Sequence, residues 1–186
     1  MSVTSRVATV SLPVGAALFL IVVGCTRSPA VDVNTPRLVE AVNDFAQVIP
    51  AAARRDLDEQ IQALRVRTRD VVVVATVPTI APVTDMRRYS MSMFDNGGKG
   101  IGERGKDNGV LVLLAIRERQ IRITVGRGME GVVTDAIAAG IVEEMTPSFR
   151  RGDYGGGLAI GVRRLAATLV AARLDTTTEM PPPRSR

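Results

Sequence analysis

The groups with which this 186-residue chain could do chemistry are oxygen donors and arginines, because histidine is absent and Cys25 is the single cysteine. That composition excludes Ser-His-Asp and Cys-His catalysis, histidine general bases and the usual zinc sites. Any reaction must run on carboxylates, hydroxyls, arginine, backbone amides or a hard cation held by oxygen. One stretch gathers such groups: Asp107-Asn108-Gly109, then Gly126-Arg127-Gly128-Met129-Glu130-Gly131, then Thr134-Asp135. Glycines let a backbone approach a ligand closely, and oxygen-only surroundings suit Ca²⁺ or Mg²⁺. Asp107, Glu130 and Asp135 are therefore the candidate metal ligands, with Asn108, Gly109 and Arg127 as further cleft residues; no catalytic residue is assigned. The structural reading stands beside this one, since Asp-Asn-Gly is good turn chemistry and Asp135 sits where a helix cap is expected.

The elements around these residues follow from periodicity. Pro50 opens a helix at its first position, with Leu57, Ile61 and Leu64 on one face. Val71–Val77 is an unbroken β-branched run, as in a strand buried on both faces. After Pro78 and Pro82, Thr84 is the expected N-cap of a second helix whose stripe is Met86, Tyr89, Met93 and Phe94. The loop Gly97–Gly109 leads to a strand at Val110–Ile116, a polar turn, and a strand at Ile121–Val125, which together form an antiparallel hairpin. That hairpin puts Asp107 beside the 126–131 loop at one sheet edge. A third helix capped by Thr134 or Asp135 is expected to end before Pro147, and Asp153 caps a last helix with Leu158, Val162, Leu165 and Leu169 inward. A further short strand is expected around Val42–Phe45. The fold class is α/β: a three-layer α/β/α sandwich whose mixed sheet contains a central hairpin.

Two motifs in the glycine loop fail on context. Gly100, Gly102 and Gly105 spell G-x-G-x-x-G, and Gly100 to Asp107 nearly spells a phosphate-binding loop. Both work only where a strand ends and a helix begins, so that the helix N-terminus meets the phosphate. Here the loop follows a helix and precedes a strand, so no nucleotide is expected. Nucleic acid is not expected either, although the net charge is +5. The arginines are scattered among acids, and only two Tyr and four Phe are available for stacking.

The N-terminus sets the location. Arg6 precedes the apolar run Val7–Val23, which ends in Val22-Val23-Gly24-Cys25. A cationic start, an apolar core and a small residue before the cleavage point make a secretory signal. Cys25 stands where a lipobox places the thiol that receives a diacylglycerol, with acyl chains such as palmitate. The run has about the minimum length of a membrane span, which is the alternative. The expected organisation is a signal peptide over residues 1–24, a lipid-attached linker over 25–38, one domain over 39–174 and a disordered tail over 175–186. The protein is expected to be an extracytoplasmic, membrane-anchored lipoprotein. Because Thr26 is not aspartate, its home in a Gram-negative cell is the periplasmic face of the outer membrane; in a Gram-positive cell it is the outer face of the cell membrane.

Several segments in order resemble the TPM domain family: Asn43-Asp44-Phe45, Gly105 to Leu114, Ile121 to Asp135, and Phe149 to Leu158. The resemblance spans about Val42 to Val170. It implies an α/β/α sandwich on the non-cytoplasmic side of a membrane, with divalent metal near the acidic cluster in some members and phosphatase activity reported for one. Arg127 departs from the family pattern, in which an aromatic is common, and places a cation beside the carboxylates. The functional expectation is a lipid-anchored accessory module that binds envelope membrane proteins and helps assemble or maintain a membrane complex. The alternative is a weak divalent-metal-dependent phosphatase using the acidic cleft.

Overall fold

The chain is described here by a computed structural model covering residues 34–178. The signal segment, Cys25, most of the linker and the end of the tail lie outside the described residues. Strand β1 (Val42–Asp44) and helix α1 (Ala51–Thr68) are followed by β2 (Val71–Val77) and α2 (Met86–Asp95). The hairpin β3 (Gly109–Ala115) and β4 (Gln120–Val125) leads through a 3-10 turn at Arg127–Met129 into α3 (Asp135–Arg150) and α4 (Tyr154–Thr178). The four strands lie in sequence order, β1, β2 and β3 parallel and β4 antiparallel. The expected mixed sheet and its short first strand are present, and β4 forms one edge.

Helices cover both faces of the sheet. Val72 and Val74 of β2 and Val110 and Val112 of β3 point toward α1, α3 and α4, where Leu57, Ile61, Met145, Leu158, Val162, Leu165 and Leu169 complete one core. The intervening Val73, Ala75, Val77, Leu111, Leu113 and Ala115 face the other way, against Tyr89 and Met93 of α2. This is why β2 and β3 are apolar on both faces, with Thr76 the polar exception: alternate residues feed two separate cores. The crossover helices α1 and α2 lie on opposite faces while β1, β2 and β3 advance in one direction. One βαβ crossover is therefore opposite in hand to the other, against the strong preference for right-handed connections.

Three expectations are corrected. The N-cap of α2 is Asp85, not Thr84: its carboxylate accepts from the amides of Arg87 and Arg88 at 2.8 and 3.3 Å. Helix α3 does not stop before Pro147 but runs to Arg150. The proline forfeits one backbone bond, to Glu143 on an exposed stretch of the helix, and only three residues of helix follow it. Helix α4 continues to Thr178, four residues into the segment expected as tail. Asp153 is the expected cap of α4, accepting from the Gly156 amide at 2.8 Å. Among the described residues no helix is long and apolar enough to cross a membrane.

Candidate functional site

The hairpin register brings the two glycine-rich loops together at the edge where β2 and β3 begin and β4 ends. Val110 pairs with Val125, so the flanking loops leave the sheet side by side. The Gly126 amide donates to the Gly109 carbonyl at 2.8 Å, and the Gly128 amide to the Asp107 carbonyl at 3.2 Å. The fit tolerates no side chain: a Cβ on Gly126 would lie 2.2 Å from the Asp107 carbonyl oxygen, and one on Gly128 would lie 2.3 Å from that of Lys106. Asp107 itself takes a left-handed conformation (φ 49°), one that Asp tolerates better than most residues.

Asn108 is a strut rather than a ligand. It is buried; its amide donates to the Arg69 carbonyl at 2.7 Å and its side-chain oxygen accepts from the Glu103 amide at 2.8 Å. The loop before β3 is thereby fixed to the turn between α1 and β2. Gly109 is buried under the same loop, its α-carbon turned toward the Ile101 carbonyl. The 96–108 loop thus joins a helix to a strand, as expected, and offers no helix N-terminus to a phosphate.

The charged residues stand on top of this frame. Asp107, Arg127, Glu130 and Asp135 are all exposed. Asp135 lies in the first turn of α3, where its charge complements the helix dipole, and Thr134 provides the cap with a 3.4 Å bond from the Ile137 amide. The loops converge, but the carboxylates do not gather: among the described residues no group of three or more His, Cys, Asp or Glu side chains could hold a metal ion. Nearby, Lys106 pairs with Glu103, and the lysine's hydrogen bond holds the Glu103 carboxyl below its usual range.

Beneath the loops lies an ion pair that sequence reasoning missed. Asp70, directly before β2, has a side chain wholly withdrawn from solvent and is bound in two-pronged fashion by Arg173 of α4. The guanidinium also lies 3.7 Å from the sulfur of Met129, the buried residue of the 3-10 turn. One contact set therefore joins the start of β2, the end of α4 and the floor of the 126–131 loop. The signal was available: Arg173 falls four residues after Leu169, on the stripe of α4 that otherwise faces the core. A cation there needs a buried partner.

A family model for the TPM domain matches residues 42–168. The chain belongs to the TPM domain family. Solved structures agree on the fold. The N-terminal domain of a protein from P. gingivalis is 25% identical with a TM-score of 0.64, over 72% of this chain and 83% of that one. A protein from the psychrophilic bacterium Bizionia argentinensis is 20% identical with a TM-score of 0.57, over 66% and 82%. The N-terminal domain of a Corynebacterium glutamicum protein is 18% identical with a TM-score of 0.53, over 75% and 84%. No curated protein matches the chain in sequence. The TPM fold of this chain thus presents two clasped loops, held from below by Asp70 and Arg173, with mixed charges on their outer surface.

Proposed function

We propose that this TPM domain is a lipid-anchored, extracytoplasmic accessory module that binds membrane proteins of the envelope and helps assemble or maintain a complex there. The observation that carries the reading is the rim of Asp107, Arg127, Glu130 and Asp135: exposed, mixed in sign, and carried by two loops whose backbones are locked together and by the first turn of α3 that follows them. Rigid loops with unpaired charges on top are suited to recognition, because little ordering entropy is lost on contact and charge pattern sets the partner. The Val22-Val23-Gly24-Cys25 sequence supports the tether.

The test has two arms. Cys25→Ser should abolish incorporation of labelled palmitate and leave a larger precursor; unchanged processing and membrane attachment would overturn the anchor. Cross-linking in intact cells followed by capture of the protein should recover a defined set of membrane proteins, lost in the charge reversal Arg127→Glu. The same set recovered with that variant would remove the rim from the proposal. The phosphatase alternative needs Ca²⁺ or Mg²⁺ held by Asp107, Glu130 and Asp135, and the spread of these side chains lends it no support. A metal with a dissociation constant near a millimolar would, at tens of millimolar, stabilise the domain by about 2 kcal/mol. A calorimetric shift of that size, reduced by Asp107→Asn and untouched by Asp153→Asn, would favour the alternative.

A further inference from the structure

The opposite edge of the sheet, where β3 ends and β4 begins, carries a cavity of about 470 Å³. Its floor is apolar: Leu114 and Ile121 of the hairpin face Phe149 at the end of α3, and the Tyr154 ring stacks on Phe149 with centroids 6.2 Å apart. The Phe149–Tyr154 segment, part of the family resemblance, takes no part in the clasped loops at the other edge. The cavity wall also holds two cations, Arg119 from the hairpin turn and Arg150 from α3. Both are exposed, and among the described residues neither forms a salt bridge and no acidic residue lines the cavity.

The polar inventory narrows what could enter. The Thr146 hydroxyl in the wall is spent on the Val142 carbonyl at 2.7 Å. The first turn of α4, close by, is capped by Asp153, which takes the Gly156 amide and sets a negative charge at that helix start. Recognition of charge therefore falls to the two guanidinium groups, which favour carboxylate or phosphate through charge-assisted bonds. An apolar floor disfavours a fully hydrated polyanion, and the unopposed positive charge disfavours a cation. The volume lies within the range of ordinary small-molecule sites.

We propose that this cavity binds an amphipathic anion, an apolar chain lying along Leu114, Ile121 and Phe149 with a carboxylate or phosphate head at Arg119 and Arg150. The site is distinct from the clasped loops and independent of what binds there. A fatty acid and a phospholipid-derived monoester share this chemistry.

The experiment uses the full chain reconstituted in phosphatidylcholine vesicles and a dodecanoate bearing a diazirine near its tail. After irradiation, labelled peptides are mapped by mass spectrometry. Label is expected in the peptides spanning 114–121 and 146–154. It should fall with excess unlabelled dodecanoate or dodecyl phosphate but not with dodecanol. Stronger competition by the carboxylate points to a fatty acid, and stronger competition by the phosphate to a phospholipid-derived ligand. Replacing both arginines (Arg119→Gln with Arg150→Gln) should reduce specific labelling by about tenfold or more, since each charge-assisted bond is of that order. Both side chains are exposed, so the variant is expected to fold, which circular dichroism checks. Label spread evenly over the chain, equal competition by dodecanol, or full labelling of the folded double variant would overturn the proposal.

Discussion

Removing either member of the Asp70–Arg173 pair should destabilise the domain, and unequally. The Asp70 side chain is 0% exposed, whereas that of Arg173 is 40% exposed. Asp70's hydrogen bonds hold the Arg173 guanidinium above its ordinary pKa even though partial burial pulls the other way. Arg173→Met keeps a side chain of similar length but removes the guanidinium and strands a carboxylate inside protein. Breaking a buried pair in this way costs about 3 to 5 kcal/mol, and the lower end applies because water can follow the lost guanidinium through its open side. Asp70→Asn leaves a cation that water already reaches and retains one acceptor for it, so about 1 kcal/mol is expected. The two single variants should therefore differ by roughly 2 kcal/mol, about a thirtyfold difference in the folding equilibrium. The double variant should lose at least about 1 kcal/mol less than the sum of the singles, because the groups touch. Urea unfolding of residues 34–186 followed by circular dichroism reads these as shifts in midpoint at constant slope. Equal losses, a larger loss for Asp70→Asn, or strict additivity would refute the assignment of the pair as a buried-carboxylate clamp.

Three further outcomes follow from the same edge and its opposite. Gly126→Ala forces a Cβ to within 2.2 Å of a backbone oxygen and should cost about 3 kcal/mol, whereas Gly131→Ala, with nothing within 4 Å, should stay within about 0.5 kcal/mol by the same unfolding assay. Asn108→Ala removes two part-buried bonds and should cost about 2 kcal/mol, with loss of hydrogen-exchange protection at the Glu103 amide. At the opposite edge burial works against the charge of Glu118, but the Thr79 hydroxyl at 2.6 Å, the amides of Glu118 itself and of Ile80 (3.3 Å), and the charge of Arg117 together outweigh it and hold the carboxyl below its usual pKa. A depressed folded-state pKa contributes stability that is present above the unfolded value and lost as pH falls through the folded one. Thr79→Val should therefore move the Glu118 titration upward in carbon-detected NMR and narrow the stability lost between neutral and acid pH; an unmoved titration would count against the hydroxyl as the cause.

The local patterns were legible because they are local. Val71–Val77 and the Leu158, Val162, Leu165, Leu169 stripe carry their burial in their spacing, and the structure buries them as that spacing requires. The hairpin was equally plain, and with it the meeting of the 107–109 and 126–131 loops, since register alone brings the start of one strand beside the end of the next. Caps were less secure: Thr84 and Asp85 both suit an N-cap, and it is the Asp85 carboxylate that accepts from the first amides of the helix. Pro147 lacks the amide that continues a helix, yet α3 carries on for three residues beyond it, so one missing bond does not end the helix here.

Tertiary structure decided the rest. Periodicity showed that β2 and β3 bury both faces, but not that α1 and α2 take opposite faces of the sheet, because only the packed arrangement fixes the hand of a crossover. The sequence brought Asp107, Glu130 and Asp135 to one edge; that they stand exposed and, among the described residues, form no group able to hold a metal was decided by the folded backbone. The pairing of Asp70 with Arg173 lay beyond any local rule. The two residues are 103 positions apart, and only the folding of α4 across the start of β2 makes each the other's counterion.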